Sequence, residues 1–118
     1  MDNRVKPDLR SYAHMGDAVW EVFVREIIIY QTLVPNELHK KSIALVNAEF
    51  QASLLEKITP HLTEEEKELA KRARNLSDGR SNRPAHRLST AFEVLIGYWY
   101  INDKSRIESI FNLIKTLL

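Results

Sequence analysis

The chain has no cysteine. That excludes a disulfide framework and a thiolate metal site. No apolar run reaches about eighteen residues, so no membrane-spanning helix and no membrane partner are expected. Residues 1–10 are polar and lack the apolar stretch of a secretory leader, which points to a cytoplasmic protein. Glycine and proline are scarce, three and four among 118 residues, leaving few places to break a helix. Net charge is nearly absent as well, since 17 Lys and Arg oppose 16 Asp and Glu. The total therefore says little, but its distribution says more. An acidic run, Glu64, Glu65, Glu66 and Glu68, gives way to Lys71, Arg72, Arg74, Arg80, Arg83 and Arg87, with only Asp78 against them. Such asymmetry builds a positive face on a nearly neutral protein.

What is present is helical spacing in a length that fits one domain, residues 1–118. Val19, Trp20, Phe23, Val24, Ile27 and Ile28 recur at intervals of three and four, predicting a helix from about Gly16 to Gln31. It is apolar enough to be a central, buried helix. Ile27 to Tyr30 alone would pass for strand, but the surrounding period favours helix. Pro35 and Asn36 mark a break. A second helix, straight or bent, is expected from about Glu37 into Lys57, with Ile43, Val46, Phe50, Leu54 and Ile58 inward and Pro60 ending it. Thr63 followed by Glu66 reads as a capping box opening a third helix. Asn75 to His86 carries Ser, Asp, Gly, Asn and Pro and reads as a basic loop. Further helices are expected from near Ser89, and across Ile107, Ile110, Phe111, Ile114 and Leu117. The fold class is all-α, without internal repeats.

Two acids interrupt apolar helical stretches. Asp17 lies in His14-Met15-Gly16-Asp17-Ala18-Val19-Trp20, and Glu93 in Ala91-Phe92-Glu93-Val94-Leu95-Ile96-Gly97. A buried carboxylate is costly unless paired, hydrogen-bonded or bound to metal. If the two helices pack together, the carboxylates converge into the oxygen-rich environment that magnesium prefers. The plainer alternative makes Asp17 a helix cap and pairs Glu93 with Arg74 or Arg87. The four histidines, His14, His39, His61 and His86, show no paired ligand spacing.

The runs GDAVWE and STAFEVLIGYWY, in that order on helices, closely resemble the ribonuclease III catalytic domain. The resemblance puts metal-binding, catalytic acids at Asp17 and Glu93. Longer members carry acids four and seven residues before the first of these and three before the second. Here those positions hold Ala13, Arg10 and Thr90. With PNELHKKS at 35–42 and KRARN at 71–75, and with no room for a double-stranded-RNA-binding domain, the chain is most similar to the compact Mini-III branch. The resemblance implies a homodimer that uses magnesium to cut double-stranded RNA, leaving 5′-phosphate and 3′-hydroxyl ends. It also implies a large-subunit (23S) ribosomal RNA precursor as substrate and a large-subunit ribosomal protein as a possible helper.

For such a substrate, Arg72, Arg74, Arg80, Arg83 and Arg87 are candidates to hold phosphates, and Asn75 a phosphate or a 2′-hydroxyl. Duplex RNA is recognised mainly through these groups. A merely solvated helix end is the alternative. His14, Glu21, Glu37 and Thr90 are candidates for supporting the metal's ligands or substrate, although packing suits His14 and helix capping suits Glu37. The aromatic residues Trp20, Tyr98, Trp99 and Tyr100 are expected in the core or at a dimer seam. Two rival readings exist. One is a related domain that binds RNA or the ribosome without cutting. The other is an unrelated helical protein, in which Asp17 and Glu93 would lie far apart.

Overall fold

The computed structural model describes residues 5–31, 34–76 and 83–118. Among them are six α-helices, one 3-10 turn and no strand. α1 spans Leu9–Ile28, seven residues longer at its start than the apolar spacing predicted. Asp8 is its cap, accepting a hydrogen bond from the Ser11 amide at 2.8 Å. Asp17 therefore stands within the helix and is not a cap.

The single helix expected over 37–57 is two. α2 spans Pro35–Val46 and α3 spans Ala48–Ile58. Asn47 separates them in extended conformation. Its amide group donates to the Ile43 and Ala44 carbonyls, and its oxygen accepts from the Phe50 amide. One side chain thus closes α2 and opens α3. The stripe predicted as core holds for Leu54 and Ile58, is half-buried at Val46 and Phe50, and fails at exposed Ile43. α2 begins with proline, and no side chain caps it, so Glu37 is a first-turn acid and not the cap.

After the 3-10 turn at Thr59–His61, α4 spans Glu64–Arg74 and opens with the expected capping box between Thr63 and Glu66. Glu66 also accepts from the Trp99 indole at 2.8 Å and from the Arg106 guanidinium at 2.7 and 2.8 Å. Burial pushes this carboxyl's pKa up, but those donors outweigh it and hold Glu66 below the ordinary value. α5 spans Pro84–Asn102 and α6 spans Lys104–Leu117. α5 starts five residues before the predicted Ser89, with proline in its first turn, so His86 and Arg87 are helical and not in a loop.

The most enclosed helix is α5, and α1, read as a central, buried helix, lies against it and is buried along one side. α5 packs against α1, α3, α4 and α6, and Phe92, Val94, Leu95 and Ile96 are fully buried within it. α1 lines one side, burying Tyr12, Trp20, Phe23, Val24 and Ile28. Its other apolar stripe, Met15, Ala18, Val22 and Ile29, faces outward. Trp20 and Trp99 are core, as expected, whereas Tyr98 and Tyr100 are exposed. Among the described residues, no helix is long and apolar enough to cross a membrane.

Candidate active site

Where α1 and α5 cross, they touch backbone to backbone. A Cβ on Gly16 would lie 1.8 Å from the Glu93 carbonyl oxygen, and one on Gly97 would lie 1.9 Å from that of Tyr12. Only glycine fits at either position. Both glycines adjoin or share the motifs that carry the acids. Their function here is to close the distance between the two helices.

This crossing brings the acids together. Asp17 and Glu93 share a side-chain hydrogen bond. Glu93 is half-buried; Asp17 is exposed, contrary to the expectation that both are buried. Burial pushes the Glu93 pKa up to about 8. The hydrogen bond to Asp17 and that residue's charge act in the same direction, as does the charge of Glu21, while a hydrogen bond from Gln51 opposes them. At neutral pH Glu93 therefore keeps its proton.

The pair borders a cleft of about 550 Å³, lined also by Arg10, Ala13, His14, Leu76, His86 and Thr90. Arg10, His14 and Asp17 follow helical spacing on α1, as His86, Thr90 and Glu93 do on α5. The Thr90 hydroxyl donates to the His86 carbonyl at 3.0 Å, within its own helix. Of the supporting candidates, His14 and Thr90 line this cleft. Glu21 lines a neighbouring hollow with Arg25 and His39, but its charge reaches Glu93. Glu37 lines neither.

The basic candidates scatter. Arg72 and Arg74 are both exposed on α4, but residues two apart point to opposite sides of a helix. Arg74 joins Lys67 and Lys71 along a second cleft of about 460 Å³ between α3, α4 and α5. Asn75 is the exposed C-cap of α4, next to Leu76 at the carboxylate cleft. Arg83 is the N-cap of α5, and Arg87 is exposed in its first turns. Arg80 lies outside the described residues.

Sequence reasoning missed four residues. Arg10 was noted only at the position of a missing acid and His86 only as one of four histidines without metal-ligand spacing, yet both line the cleft. Gln51 and Ser89 were overlooked behind it. Gln51 is 2% exposed, accepts from the Ser89 hydroxyl and bonds to Glu93. The signal for Gln51 was available. It precedes Leu54, Leu55 and Ile58 by three, four and seven residues, which makes it a polar residue on an apolar stripe.

The donor set suits a hard divalent cation. Two adjoining carboxyls offer oxygen ligands and, once Glu93 is ionised, concentrated negative charge. No group of three or more acidic or histidine side chains is placed to hold a metal among the described residues. Water or phosphate oxygens would complete the coordination.

Residues 10–104 match the ribonuclease III domain model. The chain is 39% identical to the Mini-ribonuclease 3 of Clostridium tetani over 112 residues, covering 89% of this chain and 74% of that protein. It is 40% identical to that of Gloeobacter violaceus, covering 89% and 80%. Against that of Brevibacillus brevis it is 43% identical, covering 78% and 72%. A crystal structure of a Fusobacterium nucleatum protein is similar throughout, with a TM-score of 0.80, 31% identity and 94% of each chain covered.

Proposed function

The chain belongs to the ribonuclease III family, and on that premise we propose that it cuts duplex RNA at the Asp17–Glu93 cleft with magnesium as cofactor. It is an endoribonuclease of the Mini-III kind, acting on double-stranded RNA. The observation that carries the site is the hydrogen-bonded pair of acids bordering an open cleft.

Asp17 and Glu93 hold the ion, and Glu93 must give up its proton for both to do so. When bound, magnesium supplies Lewis-acid polarisation of the phosphate and a more acidic water. Arg10 meets phosphate along the cleft, with His14 and His86 beside it. Asn75 and the exposed Arg83 and Arg87 extend the grip on the backbone, and Arg80 is assigned to the same task. Arg72 and Arg74 serve different parts of the duplex because they leave α4 on opposite sides. Thr90 contributes hydroxyl lone pairs where longer relatives carry a carboxylate, so fewer protein charges surround the ion. Glu21 adds negative potential from the next hollow, and Glu37 a more distant acid.

The working form is a homodimer joined through the Met15, Ala18 and Val22 stripe of α1 and Ile29 at its end, an apolar face left exposed among the described residues of a single copy. The substrate is a stem of the large-subunit ribosomal RNA precursor, cut in the cytoplasm, with a large-subunit ribosomal protein as helper. Asp17→Asn and Glu93→Gln should each abolish cleavage of such a stem. Binding of uncleaved duplex in calcium should stay within about threefold, since phosphate contacts dominate affinity. Full cleavage by either variant would remove the site from Asp17 and Glu93. Sequencing of the parent's products should show 5′-phosphate and 3′-hydroxyl ends.

A further inference from the structure

Gln51 is a costly residue in its position. It is 2% exposed on an apolar face of α3, where an aliphatic side chain of similar volume would be at least as stable. Its amide is nevertheless fully used. The Ser89 hydroxyl donates to Oε1, and the amide nitrogen faces the Glu93 carboxyl. The orientation is not arbitrary, because an ionised carboxylate takes only donors and must meet the NH₂ end. Ser89, itself 7% exposed, precedes Glu93 by four residues and shares its face of α5. One helix therefore supplies both the brace and the braced acid, and α3 closes the triangle. No buried side-chain nitrogen or oxygen is left unbonded among the described residues.

We propose that Gln51, locked by Ser89, is a positioning residue that fixes the Glu93 carboxylate for the metal ion, a role that rests on the site reading above. The amide occupies one side of the carboxylate with a donor. The remaining oxygen lone pairs then point toward Asp17 and the cleft. Without the brace, Glu93 has other rotamers open to it, and holding it for the ion costs side-chain entropy.

The decisive variant removes both members of the brace, Gln51→Met with Ser89→Ala. Made together, the two changes leave no atom of the brace unpaired, and Glu93, half-buried, loses one donor but keeps Asp17 beside it, so the fold should melt within a few degrees of the parent's temperature. Binding of manganese to RNA-free protein, followed by calorimetry, should weaken by about tenfold or more. The magnesium concentration for half-maximal cleavage should rise by a similar factor, with metal-free duplex binding unchanged. Ser89→Ala alone, which only frees the amide to turn, should shift both in the same direction by less, and it keeps the test available should the double variant misfold. Unchanged manganese affinity in these variants would overturn the proposal and leave Gln51 purely structural. If instead Asp17→Asn binds manganese as well as the parent, the ion lies elsewhere, and the site reading falls together with the proposal.

Discussion

A carboxyl that keeps its proton to about pH 8 makes folding depend on pH in an unusual direction. Unfolded, Glu93 would titrate near 4.5. Below that value both states hold the proton, and its contribution to stability is fully present. As pH rises, the unfolded chain loses the proton first, so stability falls, and the contribution is gone once pH passes about 8. Metal-free protein should therefore melt at progressively lower temperature across that window, and Glu93→Gln should lack this component. Parallel curves for the two proteins would show that Glu93 titrates normally. The two acids were legible in the sequence because each interrupts an apolar stretch and sits in a family-like run. Their environments were not. Whether Asp17 is buried depends on where the crossing falls along α1, which no local pattern fixes. Gln51 interrupts an apolar stripe, but what it serves was not legible, because its partners are 38 and 42 positions away.

At the level of elements, the glycine crossing predicts sharp intolerance. Gly97→Ala sets a methyl against the Tyr12 carbonyl, and Gly16→Ala sets one against that of Glu93. The opposing atoms are backbone, so whole helices must move apart. Each change should cost at least about 3 kcal/mol in urea unfolding. An unchanged midpoint for Gly97→Ala would mean that the helices are not in contact there. Helix existence and order were readable from spacing, and the Thr63–Glu66 capping box was found intact. Boundaries were less so. α1 begins at Leu9 because Asp8 caps it, a signal placed ahead of the dense apolar run. The break at Asn47 was hidden because Phe50, Leu54 and Ile58 continue the period of Ile43 and Val46 across it. The basic segment was read as loop through His86, although Pro84 suits a first helical turn.

On the scale of the molecule, periodicity identified an apolar α1 and suggested that it is buried all round, whereas one stripe is exposed. Two stripes on one helix look the same in sequence as a helix enclosed on all sides. The centre is α5, and the second stripe of α1 stays open, with Val22 56% and Ile29 57% exposed. Val22→Glu should convert the proposed dimer to monomer in sedimentation velocity without lowering secondary structure. A variant that still sediments as a dimer would place the interface on another face. The glycine contact also governs how freely the rest of the chain can change. Because backbone atoms alone set the gap between α1 and α5, no core side chain acts as the spacer between the two acids. Leu, Ile and Val elsewhere in the interior can be exchanged for one another with small losses of stability and without resizing the cleft. The dimensions of the site are thereby insulated from drift in the core. A redesigner of this nuclease has a broad interior to alter and two positions, Gly16 and Gly97, to leave untouched.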